Sequence, residues 1–80
     1  GDRRGLAGVN RMKLSARNVL EGTIKEVKEG VTTAHVVIDI GGGRSVTASI
    51  TMESATELGL KPGARAFAVI KASDVMVGVP

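Results

Sequence analysis

Apolar positions recur at every second residue along most of this chain, and the period changes only once. Between Val31 and Ile40, Thr32, Ala34, Val36, Ile38 and Ile40 share one face, and Thr33, His35, Val37 and Asp39 share the other. That is the period-two pattern of a strand with one buried side. Arg44 to Ile50 repeats it, with Val46, Ala48 and Ile50 facing inward. A looser alternation from about Val19 to Lys28 predicts an earlier strand, ended by a turn at Glu29-Gly30. Gly41-Gly42-Gly43 separates the second and third strands, where a positive φ is cheap. After the Lys61-Pro62-Gly63 turn, Ala64–Lys71 reads as a fourth strand. A turn at Ala72-Ser73-Asp74 then leads into a fifth, Val75–Val79.

The change of period falls between the third and fourth strands. Ala55 and Leu58 share one helical face, and Gly59 fits a left-handed C-cap. The start is open between two positions: Thr51 can cap the helix, and Ser54 with Glu57 also fits a capping box. Five short strands with one helical turn predict an all-β fold, a small five-stranded OB-like barrel. Val37, Val69 and Met76 remain on the outward side, more apolar than a free monomer needs, so the barrel is expected to oligomerise.

Composition narrows the partners. Eighty residues make one domain, and a chain of that size buries a modest core. Phe67 is its single aromatic and there is no cysteine. A small scaffold without such staples gains burial by association. The lack of cysteine fits a cytoplasmic setting. No apolar run approaches the ~20 residues of a membrane span, so no membrane partner is expected.

The net charge of +3 is unevenly placed: residues 1–13 hold four bases and one acid, and from Leu14 onward there are seven of each. Residues 1–11 therefore read as a flexible basic arm or linker, with an arm contacting DNA or a partner as the alternative. Residues 12–80 form the folded domain. That domain lacks both the basic face and the aromatic platforms of a nucleic-acid binder.

Three phrases carry the chemistry: Ser15-Ala16-Arg17-Asn18, Thr51-Met52-Glu53-Ser54-Ala55 and Ile70-Lys71-Ala72-Ser73. The candidate donors are the side chains of Ser15, Arg17, Thr51, Ser54 and Lys71 together with the backbone N–H of Ala72. Arg17 offers a fork of N–H groups. A helix start adds unpaired peptide donors and a positive dipole end. Taken singly, Thr51 and Ser54 are ordinary caps, Arg17 a solvated charge and Lys71 an edge gatekeeper. Together they form a set rich in donors and poor in acceptors, suited to an anion.

Nothing suggests catalysis: no carboxylates pair for acid–base work and no nucleophile has a base beside it. No His or Cys cluster could ligate a metal directly. His35 reads as a surface or interface residue, and Met12, Met52 and Met76 as apolar fillers.

These phrases, in their order and spacing, resemble the Mop or molbindin family. Ser15-Ala16-Arg17-Asn18 with Leu20-Glu21-Gly22 and Ile24 is similar to its opening. Ile50-Thr51 with Glu53-Ser54-Ala55 and Glu57-Leu58-Gly59-Leu60 is similar to its middle. Ala68-Val69-Ile70-Lys71-Ala72-Ser73 with Val75-Met76 is similar to its end.

The resemblance spans about Met12 to Val79 and implies an OB-like barrel that forms a homohexamer and binds molybdate, with tungstate as a substitute, at subunit interfaces. Ser15, Arg17, Thr51, Ser54, Lys71 and Ala72 would be its binding residues and intracellular molybdenum storage its role. The alternatives are a molybdate-sensing or accessory domain of a larger regulator or transporter ATPase, and an OB-type nucleic-acid module. Molybdate suits a donor-only site because it is a fully deprotonated dianion at neutral pH. Monohydrogen phosphate would bring a proton without an acceptor, at a cost of about 1–3 kcal/mol.

Overall fold

The computed structural model describes residues 17–80. Ser15 and the arm at residues 1–11 therefore lie outside the described residues, as does the domain start at Met12. The elements are β1 (Asn18–Glu29), β2 (Thr33–Gly41), β3 (Arg44–Thr51), α1 (Met52–Leu58) and β4 (Arg65–Ile70), followed by a 3-10 turn at Ala72–Asp74. Four strands form one antiparallel sheet in the order β3-β2-β1-β4.

β1 is shared between two neighbours, and this curls the sheet. Its first half pairs with β4, from Asn18↔Ile70 to Thr23↔Arg65, and its second half pairs with β2, from Thr23↔Asp39 to Glu29↔Ala34. The ladder shifts by one residue between Ile24 and Glu26, and a bulge of this kind bends and twists its strand. Gly22 sits just before the bend, where a Cβ would collide with the Asp39 carbonyl and come within 2.8 Å of Ile38 Cγ2. Only glycine permits that approach.

The alternating faces fall as the sequence predicts. Ala34, Val36 and Ile38 of β2 are buried, and Val36 and Ile38 pack with Ile24 of β1 and Ala68 of β4. Val46 and Ile50 of β3 are half-buried against them. Gly41, Gly42 and Gly43 all take positive φ at the β2–β3 turn. α1 starts at the first of its two candidate positions. Thr51 is the N-cap and its Oγ1 accepts the Ser54 N–H, while Gly59 closes the helix at φ 62°.

Two expectations need correction. The fifth strand is absent: among the described residues Val75–Val79 pairs with no strand, and the sheet is a four-stranded half-barrel. β3 and β4 are the outer strands of the sheet among the described residues. Met76 is not an apolar filler, since it is 94% exposed. Leu58 also stays largely outside, although Ala55 on the same helical face is buried.

Candidate functional site

The register of β1 with β4 gathers one group of donors. Asn18 pairs with Ile70, so Arg17 and Lys71 stand one rung beyond, at the same end of the sheet. The Asn18 side-chain amide reinforces the junction by donating to the Ile70 carbonyl at 3.3 Å. Lys71 precedes the 3-10 turn, whose Asp74 N–H donates to the Lys71 carbonyl at 2.9 Å. Ala72 opens that turn, where backbone donors have no intrahelical partner. Arg17, Lys71 and Ala72 are all exposed. Asp74 brings a carboxylate to the same turn.

The second group sits where β3 runs into α1. Thr51 pairs with Thr33 of β2, and the Met52 N–H donates to the Thr32 carbonyl at 3.0 Å. Within the cap, Thr51 Oγ1 accepts the Ser54 N–H at 3.0 Å and donates its own proton to Ser54 Oγ at 2.9 Å. The Thr51 hydroxyl is therefore occupied in both directions. The Ser54 hydroxyl keeps its proton to offer elsewhere.

These two groups stand at opposite ends of β1. Arg17 and Lys71 lie beside Asn18, whereas Thr51 lies beside Thr33, next to the Glu29↔Ala34 rung. β1 has 12 residues, a contour of about 36 Å at ~3.3 Å per residue. A donor must come within about 3 Å of the oxygen it serves. One chain thus brings Arg17, Lys71 and Ala72 together, and Thr51 and Ser54 together, but not the first set with the second. Ser15 lies outside the described residues.

Sequence reading left Asn18 out of the site, although its amide fixes the Arg17–Lys71 junction. Only the pairing of residues 52 positions apart reveals that role. A cavity of about 160 Å³ lined by Lys28, Glu29, Gly30, Thr33 and His35 opens at the β1–β2 turn. It includes none of the candidate donors. His35 is exposed opposite Lys28. Among the described residues no group of three or more His, Cys, Asp or Glu could hold a metal ion, and no helix is long and apolar enough to cross a membrane.

The chain is similar to several known proteins over most of its length. The TOBE domain model matches residues 14–77. Molybdenum-pterin-binding protein 1 of Clostridium pasteurianum is 50% identical over 66 residues, which cover 82% of this chain and 97% of that protein. MopII from the same organism, solved in an apo form, superposes with a TM-score of 0.78 at 46% identity, covering 84% of this chain and all of that one. The cytoplasmic molybdate-binding protein ModG, solved with molybdate bound, reaches a TM-score of 0.83 at 51% identity. It covers 89% of this chain, which spans half of the ModG chain.

Proposed function

Because this chain belongs to the TOBE domain family, with molybdenum-pterin-binding and molybdate-binding proteins as its near relatives, we propose that it captures molybdate reversibly at the interfaces of a homo-oligomer, a hexamer, and serves cytoplasmic molybdenum storage. Arg17, Lys71 and the Ala72 N–H form one half of the site, with Ser15 beside Arg17 in the sequence. Thr51 and Ser54 form the other half. Residues 12–80 are the binding domain, and residues 1–11 are an arm or linker. Capture is by preorganised hydrogen-bond donors and needs no bond making. Tungstate, of nearly the same shape, binds the same groups.

The observation that carries this proposal is the separation of the two halves. A tetrahedral dianion needs donors from several directions, and each half alone supplies only one side. Charge-assisted donors from Arg17 and Lys71 are the strong members. On the neutral side the Ser54 hydroxyl keeps its proton for the anion, and Thr51 holds it in place through the helix cap. Two copies meeting with the charged half of one against the capped half of the other would surround the anion.

A free oxyanion also suits the composition better than a pterin-bound one. A flat pterin ring asks for an aromatic or apolar face, and the guanidinium of Arg65 already lies 5.2 Å over the Phe67 ring. Phe67 is the only aromatic the chain has.

The test is calorimetric titration of the oligomer with molybdate beside tungstate, sulfate and phosphate, after light scattering has given its mass. Tight molybdate and tungstate binding with weak phosphate binding is expected. An intact oligomer that ignores molybdate would show that the three motifs serve as caps and contacts only.

A further inference from the structure

Asp74 is an acid set among donors. It ends the 3-10 turn at Ala72–Asp74. Its N–H donates to the Lys71 carbonyl at 2.9 Å, and the Val75 N–H donates to the Ala72 carbonyl at 3.3 Å. A 3-10 turn takes three residues and climbs ~2.0 Å with each, so Asp74 returns over Lys71 at a remove of about 6 Å. Arg17 stands at the same end of the sheet, because Asn18 pairs with Ile70. Two cations and one carboxylate therefore meet where donors alone would suit an anion better.

The fold gives that carboxylate no work. Asp39, the other aspartate described, accepts the Gly41 N–H at 2.8 Å in its own turn. Glu21 pairs with Arg65. Among the described residues Asp74 accepts no hydrogen bond and closes no ion pair, and it is exposed. The 3-10 turn is held by backbone bonds and its cap uses no side chain.

We infer that Asp74 is a counter-charge that limits how tightly the Arg17–Lys71 half holds a dianion, so that capture stays reversible. The inference rests on the oxyanion function proposed above, and it names a residue that regulates binding without touching the ligand.

The size of the effect follows from charge and distance. A carboxylate about 6 Å away in water-like surroundings opposes a single negative charge by a factor of about three, and a double charge by that factor squared, about ten. The charge of the ligand enters as an exponent. A change of shape or packing at the turn has no reason to follow that rule.

Asp74→Asn removes the charge and keeps the shape. Calorimetry at low ionic strength should show molybdate bound about tenfold more tightly than by the unaltered protein. Perrhenate, a tetrahedral oxyanion with one charge in place of two, should gain only about threefold, read by competition with molybdate. Asp74→Glu restores the charge and should return both affinities toward the unaltered values. The gains should shrink as salt is raised, since the screening length falls from ~30 Å at 0.01 M to ~8 Å at 0.15 M.

Unchanged or weaker molybdate binding by Asp74→Asn overturns the inference. Equal gains for the two anions overturn it as well, because they mark a change of shape and not of charge. Asp74→Ser repeats the neutral test with a different side chain, so a folding defect peculiar to asparagine does not decide the matter. If the unaltered protein takes up no molybdate, the oxyanion function fails and this inference fails with it. If it binds molybdate and both neutral variants merely match it, the role of Asp74 falls alone.

Discussion

The two halves of the proposed site are built on different principles. At the Asn18 end, Arg17 and Lys71 are long, charged and exposed, and among the described residues the only side-chain bond holding the junction is the Asn18 amide on the Ile70 carbonyl. At the Thr51 end the groups are short and neutral, and each hydroxyl is already engaged in the cap of α1. The first half supplies charge without fixing direction. The second fixes direction without charge, and its residues hold the fold together as well. Changes at the two ends should therefore separate binding from stability.

The largest effect is expected from the charged half. Arg17→Ala and Lys71→Ala each remove a charge-assisted donor worth about 1.5–3 kcal/mol, so molybdate affinity measured by calorimetry should fall roughly ten- to a hundredfold. The melting temperature should hardly move, because neither side chain is buried. Unchanged titrations for both variants would remove these residues from the site.

Thr51→Ala should act on both quantities. Losing the N-cap costs about 1 kcal/mol, or about 4–8 °C in melting temperature for a domain of this size, and molybdate binding should weaken with it. Thr51→Ser should restore both, since serine also accepts the Ser54 N–H. A variant that loses affinity at full stability would make the cap a binding group alone and erase the contrast.

Asn18→Ala should have a smaller effect, reaching the anion only through its neighbours. It removes one hydrogen bond, about 0.5–1.5 kcal/mol, and should loosen the Arg17–Lys71 pair enough to lower affinity several-fold. Smallest of all is Glu21→Gln, which breaks the exposed ion pair with Arg65 on the outer side of the sheet. Such pairs contribute about 0–1 kcal/mol, and molybdate binding should be untouched. A loss of affinity there would extend the charged half beyond the Asn18 end.

Local patterns foretold much of this. The faces of β2 and β3 followed from period-two alternation, the three-glycine turn from its freedom at positive φ, and α1 from Thr51 and Gly59. Each depends on residues a few positions apart. Non-local matters were hidden. Alternation in Val75–Val79 marks a strand but does not say whose edge it joins, so the segment looked like a fifth strand of the same barrel. The donor types of the proposed site rest on sequence alone. Their division between the ends of β1 could not be read there, because it depends on Asn18 meeting Ile70 and Thr33 meeting Thr51.

The shallow interior has a thermodynamic consequence. Ile24, Ala34, Val36, Ile38, Ala55 and Ala68 are the only buried apolar residues among those described. A single chain therefore withdraws little apolar surface from water as it folds. Its heat-capacity increment on unfolding and its denaturant slope should both be low for its length, giving a broad, flat stability curve. Sharp melting would have to come from assembly, which enters through mass action. The midpoint would then rise with protein concentration, and it would rise further with any anion that only the assembled form can hold.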